Sequence, residues 1–211
     1  MSRRFTDRDL AALGGDVLER RGRALIALHG HAMAVDAKDP LHGPHHQRVA
    51  ALAAEIAREL GWSWRACADL REAALLHDVG KVWVPDAILQ HPGPLGPAEY
   101  ERVKTHASLG ASMVAAALGP EQAAWVRHHH ERWDGEGYPD GLAGALVPAG
   151  SRILAVADAW DAMTHSRIYC PRLSAEDAAD ELLAESGGQF WPPAVDALLS
   201  LLIRPEESRT Q

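Results

Sequence analysis

The sequence predicts an all-α protein, one helical domain within 211 residues. Three observations carry that expectation. Apolar residues recur at helical spacing between nearly all the turn signals, and the alternation a half-buried strand requires is absent. The balance of 47% hydrophobic to 24% charged residues is that of a chain with a real core.

The elements follow in order. Thr6 is placed to cap a first helix that runs to roughly residue 36, weakened at Gly14-Gly15. A second helix spans about His42 to Leu60, with Val49, Leu52, Ile56 and Leu60 on one face and Gly61 as its stop. A third starts near Ser63 and carries Leu70, Ala74 and Leu75 toward His77. Pro85 to Leu89 reads as a short helix with proline in its first turn. Gly96-Pro97 opens another, with Tyr100, Val103, Gly110 and Val114 near one stripe.

Residues 120 to 131 read as helical and deliver His128, His129 and His130. Pro148 to Thr164 is apolar on one side through Ile153, Val156 and Met163. Ser174 and Asp177 resemble a capping box, with Asp in place of Glu, heading a helix to about Ser186. Pro192-Pro193 begins a last helix ending near Ile203. Residues 1–30 are expected to be a helical extension, 31–205 the domain itself and 206–211 a disordered tail.

Bulk charge narrows the function. A net charge of −8 argues against gripping nucleic-acid polymers, which needs a basic stripe. A small anionic substrate stays compatible, because bound divalent metals bring their own positive charge. No apolar run approaches the length of a membrane span, and MSRRFTDRDL lacks the apolar segment of a signal peptide. Cys67 and Cys170 have no ligand-like spacing and read as free thiols in a reducing compartment, so the expected location is the cytoplasm.

Twelve histidines stand out, more than half of them in local groups: His29 and His31, His45 and His46, His128 to His130. His77-Asp78 lies where a helix gives way to Val79-Gly80-Lys81. The pair offers a nitrogen and up to two oxygens to a metal, although a helix end also favours His and Asp for its dipole and turn. His45, His106, His129, His130 and Asp158 each fall near the end or on the inner face of a predicted helix, and imidazole with carboxylate serves first-row divalent metals. His106 alone could be a satisfied core histidine. Asp158, amid Leu154, Ala155, Val156, Ala157 and Trp160, is costly to bury unless paired or bound to metal.

HDVGK (77–81) together with HHERWDGEGYP (129–139) resembles the HD-GYP family, a branch of the HD metal-dependent phosphohydrolases. The segments DAILQHPGPL, ILAVADAWDAMT and GGQF extend the likeness over about residues 34 to 202. The resemblance implies an HD-domain helical bundle that hydrolyses cyclic di-GMP to pGpG or GMP. It assigns metal ligation to His45, His77, Asp78, His106, His129, His130 and Asp158, with Asp78 bridging two ions, iron or manganese. Lys81 is implied at the scissile phosphate; Gly137, Tyr138, Pro139 and Arg167 are implied at the substrate. Two metals can hold a hydroxide, clamp the phosphate and stabilise the leaving oxygen.

His128 reads as outside the site. Glu131 and Asp134 divide between orienting a ligating histidine and loop hydrogen bonding, while Glu136 and Asp140 read as solvated charges and Trp133 as packing under the loop. Leu41 stands where some family members have a glutamate for a third metal, so two ions are expected unless His42 or His46 substitutes. Cys170 replaces a second arginine, with Arg172 nearby, and Trp191 replaces an Asp. The lost arginine leaves cyclic GMP-AMP open as substrate. A reading from another class is a non-catalytic module that binds the dinucleotide or a diguanylate cyclase (GGDEF) domain through the GYP loop. The leading helix either pairs with a second copy or finishes the bundle.

Overall fold

A computed structural model describes residues 7–37, 44–165 and 172–204. Nine α-helices are present among the described residues: α1 (Asp7–Asp36), α2 (His45–Glu59), α3 (Trp64–Leu75), α4 (Asp86–Leu89), α5 (Pro97–Leu118), α6 (Pro120–Arg127), α7 (Ala149–Thr164), α8 (Ala175–Ala184) and α9 (Pro192–Ile203). Two 3₁₀ turns, Val79–Trp83 and Gly144–Leu146, interrupt them. No β-strand occurs among the described residues, only one isolated bridge between Ser186 and Phe190. Among those residues no helix is long and apolar enough to cross a membrane.

Local chemistry accounts for the ends. Ser63 accepts a hydrogen bond from the Ala66 N–H and starts α3. Ser174 accepts from the Asp177 N–H and donates to the Asp177 carboxylate, completing the capping arrangement the sequence announces. Proline occupies the first turn of α5, α6 and α9. The proposed Thr6 cap and residues 38–43 lie outside the described residues, α2 begins at His45 after Pro44, and α1 runs through Gly14-Gly15 without a break.

Two expectations need correction. The helix expected to reach residue 131 ends at Arg127, and His128 to His130 occupy the turn beyond it. Val79-Gly80-Lys81, expected as loop, belongs to the 3₁₀ turn Val79–Trp83. Gly80 explains why that turn can pack so tightly. A Cβ there would lie 2.1 Å from the His106 carbonyl oxygen and 2.6 Å from the Gly110 nitrogen, so this backbone meets α5 directly.

The core is one cluster joining Val49, Ile56, Leu70, Leu76, Val114, Val126, Ile153, Leu154, Leu182 and Leu198. Helix α2 packs on α3, α7 and α9, while α5 packs on α6 and on the 3₁₀ turn. This arrangement turns the start of α2, the end of α3, the middle of α5, the end of α6 and the middle of α7 toward one place.

Candidate metal centre

Among the most completely buried side chains of the described residues are three histidines: His77, His106 and His129. Burying an imidazole without partners is costly, so each must be satisfied. One nitrogen of each is. The Nδ1 atoms of His77, His106 and His129 lie 2.7, 2.6 and 2.6 Å from the carbonyls of Ala74, Val103 and Val126, each three residues back. A carbonyl only accepts, so Nδ1 carries the proton in all three. Their Nε2 atoms are therefore lone-pair donors facing one another.

His45 reaches the same arrangement by another route. Its Nδ1 is 2.6 Å from Asp161 Oδ2, and Asp161 is itself gripped by Arg48 at 2.6 and 2.9 Å. The helices thus aim four imidazole Nε2 atoms inward, with His130 completing the set beside His106 and His129.

Asp78 sits between two groups. Its Oδ2 is 3.4 Å from His77 Nε2 and 4.0 Å from His45 Nε2; its Oδ1 is 3.3 Å from His106 Nε2. Asp158 Oδ1 lies 3.3 Å from His45 Nε2 and 3.9 Å from His77 Nε2. Donor atoms of His45, His77 and Asp78 fall within 4.8 Å of one another, as do those of Asp78, His106, His129 and His130. The structure therefore brings all seven expected ligands together, with Asp78 common to both groups. His77 Nε2 and Asp78 Oδ1 are buried and make no hydrogen bond. Orphaned donors of this kind, in an imidazole and carboxylate set, fit divalent metal ions.

Charge is divided unevenly. Burial pushes His45 down, but the hydrogen-bonded carboxylates of Asp158 and Asp161 outweigh it and raise its pKa to about 9. Burial likewise opposes protonation of His77, and Asp78 outweighs it. On the other side burial, reinforced by neighbouring imidazoles, holds His129 well below its ordinary value and His130 at about 3. Burial would raise Asp78; Lys81 and the imidazoles of His77 and His106 hold its carboxyl far below the usual range instead. The Lys81 ammonium is 2.5 Å from Asp78 Oδ2.

The loop after His130 is pinned at both ends. Glu131 is buried and accepts from the backbone N–H groups of Asp140 and Leu142 at 2.7 and 3.0 Å. Asp140, expected as a solvated charge, is exposed but held by a two-pronged Arg127 pair at 2.8 Å and by His128 Nε2 at 2.9 Å. With its Nδ1 on the Ala124 carbonyl, His128 has both nitrogens committed outside the centre. Asp134 pairs with Arg132 rather than with a ligating histidine. Trp133 stacks on Trp191, with the Arg152 guanidinium 4.4 Å from the Trp191 ring, so Trp133 packs as expected.

Gly137 is where the chain doubles back: a Cβ there would lie 2.3 Å from the Arg132 nitrogen and 2.6 Å from the His130 carbonyl oxygen. Tyr138, whose peptide to Pro139 is cis, stacks its ring on His130 at 4.8 Å. Beside His129, His130 and Asp158 opens a cavity of about 170 Å³, also lined by Arg132, Ala159 and Gln189. Arg167 and Cys170 lie outside the described residues, as do Leu41 and His42. His46 turns to Asp36 of α1 and not to the centre. The residue that sequence reading missed is Asp161. It stands one helical turn after Asp158 on the same apolar helix, and the burial argument used for Asp158 applies to it equally.

A family model described as HD domain matches residues 31–192. A cyclic di-GMP phosphodiesterase of Thermotoga maritima is 40% identical over 160 residues, covering 74% of this chain and 44% of that protein. A 3'3'-cGAMP-specific phosphodiesterase 2 of Vibrio cholerae is 37% identical over 174 residues, covering 80% and 33%. The chain thus spans under half the length of either relative. Among solved structures, Bd1817, a HDG"Y"P protein from Bdellovibrio bacteriovorus, superposes with a TM-score of 0.62 at 24% identity over 75% of this chain and 51% of that one, a likeness of fold.

Proposed function

The chain belongs to the HD domain family, in its HD-GYP branch, and from that premise we propose that it is a metal-dependent phosphodiesterase of cyclic dinucleotides, with cyclic di-GMP as substrate. The observation that carries the reading is Asp78, whose two oxygens face two separate histidine groups. His45, His77, Asp78 and Asp158 would hold one divalent ion; Asp78, His106, His129 and His130 would hold a second. When bound, such a pair supplies a nucleophile at neutral pH and positive charge for the phosphate and the leaving oxygen.

The chain's own residues do the rest. Asp161 accepts from His45 Nδ1 and so turns Nε2 toward Asp158 and Asp78. Lys81 brings an ammonium to the same edge of Asp78, where negative charge develops on the phosphate in the transition state. Gly137 and the Glu131 carboxylate fix the loop so that Tyr138 covers His130 and borders the space a nucleotide enters. An imidazole and carboxylate set suits iron or manganese. Arg167 belongs to the proposal through its place in the family motif.

Three further parts of the reading are proposals of the same standing. A GGDEF domain would meet the half-buried signature loop. Pairing of two copies would use α1, whose Ile26 and Met33 are exposed. A cytoplasmic location suits the two cysteines without pairing spacing.

Cyclic GMP-AMP is the second substrate to consider, favoured by the relative of that specificity. A binding-only module has less support, since binding alone has no use for seven converging ligands and a lysine. The test incubates anaerobically purified protein, loaded with Fe(II) or Mn(II), with each dinucleotide and follows products by chromatography. Linear pGpG or GMP is expected from cyclic di-GMP. Metal binding with neither dinucleotide cut would sink the enzymatic reading.

A further inference from the structure

A row of rings leads out of the metal centre. His106 lies 5.0 Å from His130 between ring centroids, His130 stacks on Tyr138 at 4.8 Å, and Tyr138 meets Tyr100 of α5 edge-on at 6.4 Å. The first two rings are ligands in the proposed function and the third belongs to the signature loop. Tyr100 has no part in the site as described so far. It is 49% exposed, which leaves much of its large apolar ring in water at the site's rim.

Lys104, one turn further along α5, adds a second feature. Its ammonium lies 5.3 Å from the Tyr100 ring centre and 5.7 Å from that of Tyr138. The ion pair it makes with Glu101 at 2.5 Å is a surface pair, since Glu101 is 68% exposed. Pairs of that kind contribute little and exchange readily for another anion or acceptor. An exposed aromatic ring with a cation poised above it is the combination that receives a nucleobase: the ring stacks on any base, and lysine reaches the O6 and N7 acceptors of guanine.

We infer that Tyr100 and Lys104 form a purine platform at the outer end of the substrate site, taking a base of the dinucleotide whose phosphate sits at the metal centre. The inference rests on the phosphodiesterase reading and extends it by assigning the contact that grips a base away from the reacting bond. Such a contact is the same in ground and transition states, so it acts on KM and not on kcat.

The test measures kcat and KM for cyclic di-GMP with metal-loaded wild type, Tyr100→Ala, Tyr100→Phe and Lys104→Ala, with metal content measured alongside. Tyr100→Ala is expected to raise KM by about tenfold or more, the range of one lost base stack, with kcat and metal content retained. Tyr100→Phe should restore the wild-type KM, because the ring and not the hydroxyl stacks. Lys104→Ala should raise KM severalfold. Unchanged KM in both alanine variants, a fall in kcat alone, or a phenylalanine variant as weak as alanine would each overturn the platform. A wild type that turns over no dinucleotide overturns the phosphodiesterase reading and the platform with it; an active wild type with unaltered variants overturns the platform alone.

Discussion

At the scale of single residues, four histidines of the candidate site are each turned inward by a hydrogen bond to Nδ1. His77, His106 and His129 each donate Nδ1–H to a carbonyl three residues back, and His45 uses Asp161 instead. The difference has a consequence with pH. A folded pKa of about 9 means that His45 carries a proton at neutral pH in the metal-free chain, whereas His130, at about 3, does not. Since the raised value lies above that of the unfolded chain, the stabilisation from protonated His45 is complete below about pH 6.5 and fades as pH rises through 9.

An ion held by His45 would take the place of that proton. Binding at pH 7 should therefore release protons, and apparent affinity should rise with pH up to about 9, at roughly tenfold per unit for one displaced proton. Calorimetry in buffers of different ionisation enthalpy checks this; affinity that stays flat from pH 7 to 9 would refute the assignment of His45. Asp158 stands out in the sequence as a carboxylate in an apolar helix, and the other expected ligands follow from the resemblance of the two motifs. Sequence reading could not find Asp140's role, because the pairing with Arg127 and His128 spans a loop whose path is tertiary.

At the scale of elements, regular helices were largely legible from spacing, caps and prolines, and the irregular pieces were not. The helix written as 120–131 stops at Arg127, and the three histidines sit in a turn that the periodicity of their neighbours gave no hint of. What makes that turn and its loop work is close backbone approach. Replacing Gly137 by Ala puts a methyl 2.3 Å from the Arg132 nitrogen and 2.5 Å from the Glu131 Cα, against backbone that cannot swing aside. Gly137→Ala should cost about 1–3 kcal/mol in stability and displace Tyr138 from His130. A chemical denaturation midpoint shifted down, together with lost turnover, would agree. A variant as stable and active as wild type would show that the loop does not depend on this contact.

At the scale of the whole molecule, the proposed ligands come from α2, the end of α3, α5, the turn after α6 and α7, elements far apart in sequence. An ion held by them acts as a staple on the native state and not on the unfolded chain. With free metal at about a hundred times its Kd, each site adds about 2.7 kcal/mol, which for a chain of this size is roughly 5–10 °C in Tm. A chelator should remove that increment, read by thermal unfolding with and without it. An unchanged Tm would mean that the centre is assembled without needing an ion. The fold class was readable because helices leave local marks, and the seven expected ligands because two motifs resemble a known family, whereas the proposed platform of Tyr100 and Lys104 needs α5 and the signature loop to meet.

In the proposed function Asp78 serves both ions, so the direct measurement is the number of Fe or Mn ions per chain in wild type and in Asp78→Ala, by elemental analysis after anaerobic loading. Two ions per chain in wild type, falling below one in the variant, is the expected result. One ion in wild type, or two in both proteins, would contradict it.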